Sequence, residues 1–255
     1  MIRVLFVISA LSISVPVFAE KFDARLEWAE RAELAMPLSG VVSKVMVKPG
    51  QRVASGDSLI SLDSRRYSAR VTKARSLVEQ ARIDKAEADR ELERALELYD
   101  RTVLSDFDKN AAEINAARAN AVWHTAKAAL VEAQVDLDHS RLKAPFDGLV
   151  LAVQAYPGLA VISELSAQPM VVLVDDKRLA AKALVAADKI NLFKPGQSLE
   201  VGVGGAWIAG EVVHLGHEPV AENERGPLYE LGVVFKRPET VQPRVGSPAV
   251  IRIDE

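Results

Sequence analysis

Cysteine does not occur among the 255 residues, and histidine occurs four times. The first absence excludes disulfide staples and a lipid carried on an N-terminal cysteine, so the fold is held by its apolar core alone. Excess charge of one sign is missing too. With 32 Lys and Arg against 35 Asp and Glu, the net charge is −3. That balance removes the electrostatic case for nucleic acid, which needs concentrated cations. The run Val4 to Phe18 is apolar and uncharged, but at 1.5 Å per residue it reaches only about 22 Å, short of a bilayer core near 30 Å. Preceded by Arg3 and followed by Val17-Phe18-Ala19, it reads as a secretory signal, residues 1–19, cleaved before Glu20. The mature chain is expected in the periplasm.

Catalytic signatures are also lacking. No Ser/His/Asp set stands out, and "GVGGAW" (204 and neighbours) has neither the lysine nor the following helix of a phosphate loop. Of the histidines, His214 and His217 in "HLGH" have an i, i+3 spacing that could serve a metal, but no cysteine or carboxylate cluster accompanies them. We therefore expect no enzyme, no cofactor and no metal.

What the chain does contain is a repeat. "PLSGVVSKVMVKPG" (37–50) returns as "PFDGLVLAVQAYPG" (145–158), with Pro37 on Pro145, Gly40 on Gly148, Val42 on Val150, Val45 on Val153, and Pro49-Gly50 on Pro157-Gly158. Short apolar/polar alternations ending in Pro-Gly are half-buried strands joined by tight turns. Each copy is thus half of a small β-sandwich.

Between the halves, neither Gly nor Pro interrupts residues 64–143. Tyr67, Val71, Ala74, Val78, Ala81, Ala88, Leu92, Ala95 and Tyr99 follow steps of four and three, broken only by Lys85, which is a heptad seam. A second series, Ile114, Ala117, Ala121, Ala128, Val131, Val135 and Leu142, is expected to face it. "DRTVLSDFD" separates the two, with Ser105 or Asp106 as helix cap. So short a connection makes the helices antiparallel, a hairpin of about 50 Å. A compact domain has no need of such a spike, so reach is its purpose. From residue 176 onward, about six short β-type runs separated by Gly and Pro turns, with one helical turn near Ala187 to Phe193, predict a small antiparallel barrel.

These features resemble the periplasmic adaptor subunits, or membrane fusion proteins, of tripartite efflux systems (the HlyD/RND-type family). "LDHSRLKAPFDGLVLAV" (137–153) carries the likeness most specifically, and "KPGQSLEV" and "RVGSPAVIRI" extend it through the tail. The implied fold is a multi-domain α+β chain. A lipoyl-like barrel-sandwich hybrid (20–63 and 144–175) is split by an α-helical hairpin (64–143) and followed by a β-barrel (176–255). The family's membrane-proximal domain is expected to be absent or reduced, since the chain stops at Glu255. The implied partners are an inner-membrane transporter, RND-type favoured, a TolC-type outer-membrane channel, and sister copies in a hexameric ring.

Family members that meet TolC-type channels carry Arg-x3-Leu-x6-Ser at the hairpin tip, and Arg94, Leu98 and Ser105 have that spacing. "SDFDKN" after them is shorter than the family's usual segment. Gly40, Gly50, Gly148 and Gly158 are expected as structural turns of the split repeat. Two other functions compete: a module that delivers a metal or small molecule to a pump, and a lipoyl or biotinyl carrier. A carrier presents its lysine on the turn joining the halves, and here the hairpin stands in that place.

Overall fold

The structure, a computed structural model, describes residues 20–163, 168–224, 226–238 and 243–253. The signal segment 1–19 lies outside them. In chain order the elements are β1 (Lys21–Trp28), β2 (Arg31–Leu34), β3 (Gly40–Val45), β4 (Arg52–Val53), β5 (Ser58–Leu62), α1 (Arg65–Asp100) and α2 (Asp106–His139). They continue with β6 (Arg141–Lys143), β7 (Gly148–Val153), β8 (Ala160–Val161), β9 (Val171–Val174), β10 (Arg178–Ala186), β11 (Ser198–Val203), β12 (Ala206–Asn223), β13 (Gly226–Lys236) and β14 (Pro248–Arg252). The described residues group into two compact units, one within 31–174 and the other formed by 20–30 together with those from 175 onward.

In the first unit, sheets β2-β9-β7-β4 and β6-β5-β3-β8 enclose a core of Val42, Leu59, Ile60, Leu62, Val150 and Leu173, each at most 2 % exposed. The repeat closes reciprocally. Gly50 N–H donates to the Val150 carbonyl and Gly158 N–H to that of Val42, both at 2.8 Å. Val150 N–H returns a bond to Gln51 and Val42 N–H one to Leu159, both at 2.9 Å. The strand pairings mirror each other as well: β3 meets β8 through Gly40 and Val161, and β7 meets β4 through Gly148 and Val53. Neither half satisfies its own backbone, so a half alone would leave buried polar groups unmade.

The hairpin leaves this sandwich after Leu62 and returns at Arg141. Leu62 N–H donates to the Ser140 carbonyl at 2.9 Å, and the fully buried Ser140 hydroxyl donates to the Leu137 carbonyl at 2.6 Å, tying both helices to their base. On α1 the buried positions Tyr67, Val71, Ala74, Ala81, Ala88 and Ala95 all belong to the expected seam.

On α2 the expected seam does not face α1. Ile114, Val131 and Val135 are 50 %, 58 % and 46 % exposed, whereas Ala116 and Ala133 are buried and Leu130 and Leu137 pack with Val71 and Ala74. The helix carries two heptad-spaced stripes, and a count of periods cannot say which one meets the partner. The wider leucines bury more apolar surface than the valines, so the stripe that contains them turns inward. Leu142, the last member of the expected series, lies in β6 and joins the sandwich core.

The second unit is a closed barrel in the order β1-β10-β13-β12-β11-β14. One expectation is corrected here: residues 21–28 belong to this barrel, not to the first half of the sandwich. β1 pairs with β10 on one side and β14 on the other. It alternates strictly, with Phe22, Ala24 and Leu26 inward beside Leu179, Leu231, Val233 and Ile251. Closure removes two raw strand edges, which is the physical reason for recruiting a sequence-distant strand. The expected helical turn is the 3-10 turn Ile190–Leu192, after which Phe193 meets Phe22 edge-on at 5.3 Å.

Candidate functional site

The exposed end of the hairpin is where the candidate docking residues fall, so its backbone comes first. α1 ends in a pair of bonds that cap its carbonyls: Thr102 N–H donates to Tyr99 at 2.8 Å and Val103 N–H to Leu98 at 2.9 Å. This is the Schellman arrangement, whose left-handed residue is usually glycine. Here it is Thr102, at φ 59°, among the described residues the only non-glycine with positive φ. Ser105 then caps α2. Its hydroxyl accepts from Asp108 N–H at 3.2 Å and donates to the Asp108 carboxylate at 2.7 Å. Asp106 and Asp108 in the first turn suit the positive helix end. Tyr99 donates to Asp106 at 2.7 Å across the turn, a bond that pushes the phenol pKa up.

Arg94, Leu98 and Ser105 therefore all lie within two turns of the tip, but two of them also hold it together. Leu98 supplies a capping carbonyl, is 38 % exposed, and with Val103 occupies the positions of the motif's apolar pair. Ser105 is the cap. Arg94 carries less structural duty: its side chain is 60 % exposed and reaches Glu87 at 3.4 Å, in competition with Arg90. Hydrogen bonding by Arg90, and then Arg94, holds the Glu87 carboxyl below its usual range. Exposed pairs of this kind contribute little, so Arg94 can change partners at low cost.

Sequence reasoning missed the two apolar side chains most exposed at the tip, Val103 at 69 % and Phe107 at 80 %. A signal existed for Phe107, an aromatic off any seam between two aspartates.

The four repeat glycines divide into two kinds. Gly50 (φ 83°) and Gly158 (φ 91°) are the left-handed residues of the Pro-Gly turns. Gly40 and Gly148 open strands instead, and a Cβ on Gly148 would stand 2.4 Å from the Val174 carbonyl oxygen. At the hairpin base, Arg65 donates to Asp63 from both its guanidinium and its backbone, holding that carboxyl at about 2. In the barrel, His214 is 57 % exposed with Nε2 3.8 Å from Glu230, and His217 is exposed. Among the described residues no group of three or more His, Asp or Glu is placed to hold a metal ion.

With this geometry in view, the known proteins that resemble the chain can be set beside it. The profile of the CzcB-like barrel-sandwich hybrid domain matches residues 30–169. The macrolide export protein MacA of Yersinia pestis is 27 % identical over 196 residues, 71 % of this chain and 53 % of that protein. The nodulation protein NolF of Rhizobium meliloti is 28 % identical over 190 residues, 72 % of this chain and 50 % of that one. The chain thus spans about half the length of these curated relatives. Among solved structures, the membrane fusion protein Spr0693 of Streptococcus pneumoniae superposes with a TM-score of 0.70 at 17 % identity, over 92 % of this chain and 99 % of that one. A MacA chimera carrying the Pseudomonas aeruginosa MexA hairpin gives 0.65 at 20 % identity, over 92 % and 78 %. At these identities the structures speak for the fold, and the domain profile speaks for descent. The chain belongs to the family built on the CzcB-like barrel-sandwich hybrid domain, that of the membrane fusion or periplasmic adaptor proteins.

Proposed function

We propose that the chain is the periplasmic adaptor of an efflux assembly, joining an inner-membrane transporter of RND type to a TolC-type outer-membrane channel and acting in a ring of sister copies. The observation that carries this reading is the reciprocal closure of the split repeat around the base of a hairpin of about 50 Å, which holds an exposed tip far from the sandwich. The relative named for macrolide export supports an export role. The chain works by bridging and sealing and not by chemistry.

In this reading the tip meets the channel through Arg94, Leu98 and Ser105, aided by Phe107. Arg94 offers a guanidinium fork for carbonyls and carboxylates, and Phe107 offers buried area once covered. Because Ser105 caps α2, a bulky replacement would confuse docking with folding. Arg94→Glu with Ser105→Asp changes the surface and keeps a capping oxygen. A photoreactive side chain at position 98 should crosslink to the outer-membrane channel in the parent and lose that adduct in the double variant, with helix content unchanged. Full crosslinking and full export in the variant would sink the docking role.

A further inference from the structure

Trp207 is set on the outer wall of the barrel in a way that the barrel's own packing does not use. Gly202 stands opposite it in the β11–β12 register, and the Gly204–Gly205 turn joins the two strands. The indole lies across Gly202, where a Cβ would come within 2.9 to 3.1 Å of three ring atoms. The Arg252 guanidinium, itself bonded to Glu200, sits 4.3 Å from the ring centroid. Both neighbours belong to the sheet over which the ring leans, and Trp207 remains 41 % exposed. An indole is among the largest apolar surfaces a side chain can offer, and here it is held in place and left open.

Beside the ring is a depression of about 400 Å³, within the range of small-ligand sites. Its floor is apolar, from Val250 and Pro248 of β14, and the missing side chains of Gly202, Gly204 and Gly205 are what open it. The turn leaves its backbone polar groups uncovered: Gly204 and Gly205 are exposed, and a Cβ on Gly205 would meet nothing within 4 Å. Charged groups stand on the rim. Asp23 of β1 pairs with Val250 and lines the depression, and Arg25, the next outward residue of that strand, pairs with Pro248. Lys21 is the next outward residue in the other direction, opposite Arg252. Among the described residues Asp23 and Arg25 have no ion-pair partner, so their polar atoms are available.

Charge decides the class of ligand. Asp23 and Glu200 share this patch with Lys21, Arg25 and Arg252, so an organic cation meets guanidinium and ammonium groups and an organic anion meets carboxylates. A ligand that carries no net charge and both donates and accepts avoids either conflict. The planar forks of a carboxylate and a guanidinium suit neighbouring hydroxyls, the first by accepting and the second by donating. A pyranose has this constitution: C–H groups on a flat face to lie on an indole, and hydroxyls around its equator to reach the rim.

We propose that the outer wall of the barrel, across β1, β14, β11 and β12, binds a pyranose ring of a neutral glycan, stacked on Trp207 and hydrogen-bonded by Asp23, Arg25 and the Gly204–Gly205 backbone. The site takes no part in bridging or sealing. It goes beyond the adaptor reading, and its test reads binding and not export.

The full chain, labelled at its three tryptophan indoles, is titrated with chitotriose and with maltotriose and followed by NMR, with Trp207→Phe identifying the signal. The expected result is a saturable shift of the Trp207 indole N–H with at least one trimer, while those of Trp28 and Trp123 stay in place. Asp23→Asn and Arg25→Gln should each weaken binding about tenfold with the barrel amide spectrum kept. Phosphatidylcholine vesicles with and without a galactosyl lipid tell the source of the ring. Selective retention on the sugar-bearing vesicles places it on a lipid headgroup, and no retention with a trimer bound places it in a free chain. No saturable shift with either trimer up to its solubility, together with no selective retention, would overturn the proposal. So would undiminished affinity in both Asp23→Asn and Arg25→Gln, which reduces the contact to an apolar one. Tighter binding of benzyltrimethylammonium or benzenesulfonate than of either trimer would equally overturn it, by assigning the wall to a charged ring.

Discussion

At the scale of single residues, three positions show how backbone and charge decide what a side chain can do. Gly148 is required because its Cα runs against the Val174 carbonyl, where a Cβ would sit at 2.4 Å. Its repeat counterpart Gly40 would meet only the end of the Leu62 side chain, at 3.2 Å. Gly148→Ala should therefore cost about 1–3 kcal/mol and Gly40→Ala distinctly less, read by hydrogen exchange of sandwich amides in urea. Equal losses would show that the close approach does not govern. Thr102 makes the opposite case, a β-branched residue where glycine is easier. Thr102→Gly should stabilise the hairpin by roughly 0.5–1 kcal/mol, relief of left-handed strain offset in part by glycine's chain entropy. Helix melting followed by circular dichroism checks it. Asp63 is the third. Its folded pKa near 2 lies below the ordinary 3.8, so its contribution to the hairpin base is present above 3.8 and fades as pH falls toward 2. An NMR titration of its carboxyl should show the low midpoint, and Arg65→Ala, which removes the guanidinium bonds and keeps the backbone N–H bond, should raise it part of the way toward the usual range.

At the scale of elements, the hairpin shows what periodicity can and cannot tell. Existence, length and antiparallel pairing of the helices were legible from the heptad steps and from the absence of Gly and Pro. A cap at Ser105 or Asp106 was legible, and the structure assigns it to Ser105; Ser105→Ala should lower hairpin stability by about 1 kcal/mol while Ser105→Asp stays near the parent. The inner face of α2 was not legible, because two stripes of equal period compete and the choice depends on which buries more surface. The prediction follows directly. Leu130→Ala should destabilise the isolated monomer by about 1–3 kcal/mol, since Leu130 packs on the inner seam, while Val131→Ala should stay within about 0.5 kcal/mol. Chemical denaturation at low protein concentration separates the two; a larger loss at Val131 would reverse the assignment of faces.

At the scale of the whole molecule, the first described strand crosses the boundary that sequence order suggests. Lys21–Trp28 precedes the sandwich in the chain yet closes the barrel, with Leu26 fully buried. Leu26→Asp should unfold the barrel, while the reciprocal bonds that close the sandwich remain protected in hydrogen exchange. Loss of protection in both units together would show that they fold as one.

The amino-acid order alone determined the split repeat, its two Pro-Gly turns, the intervening hairpin and the strand-rich tail, because each rests on local spacing that a few neighbouring residues express. Only the tertiary structure decided which α2 stripe turns inward, that Gly40 and Gly148 open strands, that Ser105 is occupied as a cap, and that residues 21–28 complete the barrel. Those outcomes depend on contacts between residues far apart in the chain, where burial and edge pairing choose among partners that local pattern leaves equivalent.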